Sequence, residues 1–119
     1  MKTNMTVLKK VCEAIEGKQG GSLAIFDVSK ISGFTDFFVI CNGRNEKQNQ
    51  AICDEITTKL KKEARLSPRQ IEGYHHADWI LIDYLDFVIH IFSVKAREFY
   101  RLESLWSDAV EVKPKALSA

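Results

Sequence analysis

Two apolar runs of strand length, Trp79–Ile82 and Phe87–Phe92, are separated only by Asp83-Tyr84-Leu85-Asp86. Each run is rich in β-branched and aromatic residues, the side chains that fit a pleated, half-buried surface. A connection this short predicts a β-hairpin. The two runs are almost continuously apolar rather than alternating. Either both faces of the sheet that contains them are covered, or one apolar face is left to meet a partner. From Ser93 the pattern becomes helical. Tyr100, Glu103 and Ser104 alternate with Leu102, Leu105 and Trp106, which predicts one or two helices over Lys95–Trp106.

The rest of the chain supplies the layers around that hairpin. Val7, Leu8, Val11, Cys12 and Ile15 fall on one stripe of a helix over residues 5–16, with Thr3 or Asn4 as cap and Gly17 as stop. Leu23–Val28 and Phe37–Cys41 read as strands, joined by an irregular Ser29–Phe34. A long helix follows over Glu46–Leu66, in which Ile52, Ile56, Leu60 and Ala64 recur every fourth residue and Ser67-Pro68 forms the break. Lys47, Lys59, Lys61, Lys62 and Arg65 lie off that stripe, on either a solvated or a phosphate-contacting face. Gln70–Glu72 is a candidate short strand. The order αββαβββα predicts an α/β fold, a mixed sheet of about five strands with flanking helices. At 119 residues the chain fits one domain, assigned to residues 1–109, with 110–119 as a C-terminal tail in which Val110-Glu111-Val112 can add a short edge strand.

Several functions are disfavoured. Seventeen basic against 16 acidic residues give a net charge of +1, without the basic excess usual in nucleic-acid binders. Cys12, Cys41 and Cys53 are odd in number and lack metal-finger spacing, so they read as reduced, packed thiols. No run approaches ~18 apolar residues, and the N-terminal segment has no unbroken apolar core like that of a secretory signal. A soluble, cytoplasmic protein without membrane contact is expected. Phosphate-loop, dinucleotide and nucleophile-elbow motifs are missing, and no D-x-D sits on a strand. Asp83 and Asp86 read as turn carboxylates that bond local backbone. His75-His76 have no third ligand at a plausible spacing, and His90, within an apolar strand, reads as a neutral buried imidazole. No metal, no cofactor and no catalytic residue is expected.

The motifs taken together resemble one family. Thr35-Asp36-Phe37-Phe38-Val39-Ile40, Asn42-Gly43, Glu72-Gly73, Ala77-Asp78-Trp79-Ile80-Leu81-Ile82-Asp83-Tyr84, Asp86-Phe87-Val88-Ile89-His90-Ile91-Phe92 and Arg97-Glu98-Phe99-Tyr100-Arg101-Leu102-Glu103-Ser104-Leu105-Trp106 occur in the order found in the ribosomal silencing factor (Iojap/RsfS) proteins. The resemblance covers about residues 5–109. It implies a fold like a small nucleotidyltransferase domain without the catalytic carboxylates. It also implies a binding protein rather than an enzyme, one that attaches to the large ribosomal subunit through its protein number fourteen. Joining of the small subunit is then blocked sterically, and translation is repressed under nutrient limitation.

Carried over residue by residue, the partner contacts implied are Trp79, Asp83 and Tyr84 with Asp78 adjacent, and Arg97, Tyr100 and Glu103 from the C-terminal motif. Trp79 remains readable as a core residue as well. A homodimer is expected for the free protein. The alternative function is an RNA-binding module acting through the basic face of the long helix, and ribosomal RNA can also be a secondary contact of that face. One position departs from the family, which commonly has glycine where this chain has Leu85. A positive φ there costs a leucine about 1 kcal/mol, unless the turn is wider or differently registered.

Overall fold

The computed structural model describes residues 5–101 and 109–112, with backbone only at Tyr100. Thr3, Asn4, Glu103, Trp106 and residues 113–119 lie outside the described residues. The elements are α1 (Met5–Gly17), β1 (Gly21–Asp27), β2 (Phe37–Gly43), α2 (Glu46–Ala64), β3 (Gln70–Glu72), β4 (Trp79–Asp83), β5 (Phe87–Ser93), α3 (Val94–Tyr100) and β6 (Val110–Val112).

They build a mixed α/β fold around a six-stranded sheet in the order β3-β4-β5-β2-β1-β6. The β2–β5 pair is parallel and the other pairs are antiparallel. The sheet has one strand more than the five expected: β3 pairs at one edge, and β6 adds the other. The central strands β2 and β5 are buried on both faces, which explains their unbroken apolarity.

Alternation divides the core into two. Phe37, Val39, Cys41, Ile80, Ile82, Phe87, Ile89 and Ile91 point to one face, where they pack against Leu8, Val11 and Ile15 of α1 and Ile52, Ile56 and Leu60 of α2. Phe38, Ile40, Val88 and Phe92 point to the other, where Val28 and Ala96 complete a smaller cluster and Phe26, Trp79, Leu81 and Ala109 pack at its margin. Helices α1 and α2 thus cover the first face, while among the described residues the second carries the short α3, Ala109, and Val28 and Phe34 of the β1–β2 connection.

Element ends depart from expectation in physical detail. Gly17 does not take a left-handed conformation; Gln19 does, at φ 60°, and the Gly20 N–H closes back on the Ile15 carbonyl at 2.8 Å. Helix α2 is capped by Asn45, whose side chain accepts from the Gln48 N–H at 2.8 Å. It stops at Ala64, short of the expected Leu66, because Arg65 is left-handed at φ 56°. Helix α3 takes the first part of the Lys95–Trp106 stretch, for which one or two helices are expected; residues 102–106 lie outside the described residues. Ser93 caps it through the Ala96 N–H, and a left-handed Arg101 ends it.

The β4–β5 turn keeps the tight form. Leu85 has φ 75°, and the Asp86 N–H bonds the Tyr84 carbonyl two residues back at 2.9 Å, a γ-turn of the strained hand. The Tyr84 N–H reaches the Phe87 carbonyl at 3.0 Å, so the register continues into the turn. The wider turn considered for Leu85 is therefore not adopted.

Candidate functional site

The less covered face of the sheet carries a connected set of rings. Phe34 lies 6.4 Å from Phe38, Phe38 meets His90 edge-on at 4.9 Å, and Trp79 sits 5.8 Å from His90 and 5.0 Å from Phe92. Strand register produces this: Trp79 is opposite Phe92, and His90 lies between Leu81 on β4 and Ile40 on β2. Such ring pairs add about 0.5–1.5 kcal/mol each beyond the area they bury. The periphery is exposed. Phe34 is 65% accessible, Phe99 78% and Val94 51%, and Trp79 and Leu81 are half-buried. Asp78, Trp79, Ser93, Lys95, Ala96 and Phe99 line a groove of about 360 Å³ between the start of β4 and α3. A larger hollow, about 540 Å³, is open and mostly polar; it lies between the β1–β2 connection and the hairpin tip, and of these rings Phe34 borders it.

Trp79 is neither a core residue nor a free one. Its Nε1–H donates to Nδ1 of His90 at 3.0 Å, and its ring lies against Phe92. His90 is 4% exposed, and burial pushes its imidazole down to about 4. The ring is therefore neutral near pH 7. Since Nδ1 accepts, the proton sits on Nε2, which is buried without a hydrogen-bond partner among the described residues. An unpaired buried donor of this kind costs about 1–3 kcal/mol.

The segment leading into Trp79 is held from behind. Gly73 has φ 79°, and a Cβ there would come within 2.1 Å of the Trp79 carbonyl, so the Glu72-Gly73 motif has a steric reason. Ala77 is left-handed at φ 58° and bonds Gly73 through its N–H at 2.9 Å. Its carbonyl accepts from Nδ2 of the fully buried Asn49 on α2 at 2.7 Å, and Gln50 donates to the Tyr74 carbonyl at 2.9 Å. On the far side, the Asp78 carbonyl accepts the Ser93 N–H at 2.8 Å.

The residues expected as partner contacts are not all brought together. Asp78 and Trp79 adjoin the groove, and the Asp78 side chain is exposed. Asp83, at the far end of β4, builds the turn: one carboxylate oxygen accepts from the Leu85 N–H at 2.7 Å and the other from Arg69 at 2.8 Å. Tyr84 stacks on Phe87 at 4.9 Å and packs with the helix-covered cluster, on the face opposite Trp79. Burial pushes its phenol well above the usual tyrosine range, and its hydroxyl is buried without a partner among the described residues. Arg97 ties α3 to the sheet, donating to the Ser22 carbonyl and to Oδ1 of Asn42 at 2.9 Å. Tyr100 is described in backbone only, and Glu103 lies outside the described residues.

Phe99 and Asn49 were missed in the sequence. Phe99 sits within the quoted C-terminal motif with no helical stripe to mark it. Asn49 did carry a signal, as a polar residue in register with Ile52, Ile56 and Leu60.

Two other candidates change with the structure. On the basic helix face, Lys59 pairs with Glu63 at 3.2 Å and Glu13 at 3.7 Å, and Lys10 pairs with Glu63 at 3.0 Å, so part of that charge is neutralised internally. The three cysteines are free and buried, and burial pushes Cys12 up to about 11 and Cys41 and Cys53 up to about 12, away from thiolate chemistry. Among the described residues no helix is long and apolar enough to cross a membrane.

Comparison with known proteins gives the same answer throughout. The family described as "Ribosomal silencing factor during starvation" matches residues 2–119. The protein named ribosomal silencing factor RsfS of Halalkalibacterium halodurans is 38% identical over 111 residues, 93% of this chain and 94% of that one. The crystal structure of protein CV0518 from Chromobacterium violaceum superposes with a TM-score of 0.83 at 27% identity, over 88% of each chain. A mouse protein named "Mitochondrial assembly of ribosomal large subunit protein 1" is 31% identical over 87 residues, 71% of this chain and 38% of that one. Its sequence over nearly its whole length, and a fold shared with a crystallised relative, make this chain a member of the ribosomal silencing factor family.

Proposed function

We propose that this protein represses translation by binding, without catalysis. It docks on the large ribosomal subunit, through that subunit's protein number fourteen, and stands where the small subunit would join. It acts in the cytoplasm when nutrients are limiting. The observation that carries the reading is Trp79: a half-buried indole, fixed by His90 and Phe92, on the margin of an aromatic face that α1 and α2 leave uncovered. Large aromatics held at few rotatable bonds dominate interface energies. Family membership supports the silencing role, and the mouse relative's name points to the large subunit.

Asp78 and Trp79 are the proposed direct contacts, with Phe99 beside them. Asp83 and Tyr84 shape the hairpin tip, and Arg97 holds α3 against the sheet. Tyr100 and Glu103 extend the contact along the C-terminal motif. In the free protein the apolar face is hidden by a second copy, and lysines of α2 add secondary contacts to ribosomal RNA. The internal pairing of Lys59 with Glu63 and Glu13 makes an RNA-only function the weaker reading.

Gradient sedimentation of the purified protein with separated subunits tests this. Co-migration with the large subunit and loss of joined ribosomes are expected. Co-migration with neither subunit, at protein in several-fold excess, would overturn it.

A further inference from the structure

We infer that His90 is a positioning residue for docking: its Nδ1 holds the Trp79 indole in one orientation, so that the ring, and not its N–H, is what a partner meets. This rests on the docking role proposed for Trp79.

The site around His90 is made for an apolar side chain. Ile40 and Leu81 flank it along the sheet, Phe38 meets its ring edge-on at 4.9 Å, and Phe92 lies stacked at 6.1 Å. A leucine or phenylalanine would occupy that space without a polar atom. The imidazole instead leaves its Nε2–H buried without a hydrogen-bond partner among the described residues. Its other nitrogen has one described use, the 3.0 Å bond to the indole of Trp79.

That bond removes a freedom the packing alone would leave. The indole rests at the margin of its cluster, half-buried, with Phe92 against it at 5.0 Å. A tilted contact of this kind, 39° between the ring planes, confines the indole but tolerates a flip that exchanges its two edges. An acceptor fixed on the neighbouring strand selects one edge. An anchor already held in its docked rotamer loses less entropy on binding. The N–H is satisfied within the chain, so the partner need supply no acceptor for it. The contact made by Trp79 is therefore apolar.

The bond is read directly in a ¹⁵N-labelled sample by the Trp79 indole resonance, assigned by its disappearance in Trp79→Phe. In the unaltered protein a downfield N–H that exchanges slowly with water is expected. His90→Phe should return it towards the free-indole position with fast exchange. His90→Asn, which places a carbonyl oxygen near the Nδ1 position, should restore part of the protection.

Large-subunit affinity should fall about 3- to 10-fold in His90→Phe, the scale of one immobilised side chain. The same change made in Trp79→Phe should cost nothing further. A fast-exchanging, free-like indole in the unaltered protein overturns the inference, even if His90→Phe fails to fold. So does undiminished binding by folded His90→Phe, or an equal loss in the Trp79→Phe background. Normal binding by Trp79→Ala would sink the docking role instead, while the indole resonance of the unaltered protein would still report the bond to His90.

Discussion

Leu85 occupies a backbone position made for glycine. Its φ of 75° places Cβ against its own peptide, a conformation costing an L-residue about 1–2 kcal/mol. The side chain is 50% exposed and returns little burial in compensation. What enforces the conformation is its surroundings: the Asp83 carboxylate on the Leu85 N–H, the Tyr84–Asp86 bond across it, and the continued Tyr84–Phe87 register. Leu85→Gly should therefore stabilise the fold by up to about 1 kcal/mol, since the relief of strain is partly offset by the greater freedom of glycine in the unfolded chain. Urea unfolding of the two proteins measures it. A loss of stability would mean that the leucine side chain is worth more in place than the strain it causes.

Helix α2 acts as a brace for the segment that enters β4. Asn49 reaches from its buried face to the Ala77 carbonyl at 2.7 Å, while its own Oδ1 is buried without a partner among the described residues and abuts Gly43 so closely that a Cβ there would lie 2.2 Å away. Asn49→Ala should cost about 1–3 kcal/mol, from an unpaired buried carbonyl and a small void. Hydrogen exchange should speed up over residues 73–78, and at the Ser93 amide that bonds Asp78, with little change in the central strands. Equal acceleration throughout the sheet would mean that Asn49 supports the core and not this segment.

The main elements were legible because burial writes itself into residue type, as unbroken β-branched and aromatic runs in β2, β4 and β5 and as a period of about four in α2. The brace was not, because an asparagine's hydrogen bond depends on which loop the fold carries past it. For the same reason Tyr84 and Trp79, close in sequence, were read as one contact surface. The pleat sends them to opposite faces, and no composition cue marks which face a helix will cover.

At the scale of the whole molecule, one sheet separates two environments of different thickness. Two helices close the first face over a core of fully buried isoleucines and leucines, which carries the stability. The second holds a smaller cluster with Trp79 at its margin. Trp79→Ala separates the two roles. A fully buried tryptophan would cost about 3–5 kcal/mol of stability when truncated. This one is half-buried, so the loss should stay near 2 kcal/mol, including that of the bond to His90. Binding should weaken by at least about 2 kcal/mol, roughly 30-fold, because the side chain removed is the anchor. The paired measurement is urea unfolding beside large-subunit binding for the same variant. A folded protein that no longer prevents subunit joining is the expected result. Normal binding would place the anchor elsewhere on the surface. Unfolding at the cost of a full core tryptophan would make Trp79 part of the second cluster, and the aromatic face would then have to meet its partner through Phe34 and Phe99.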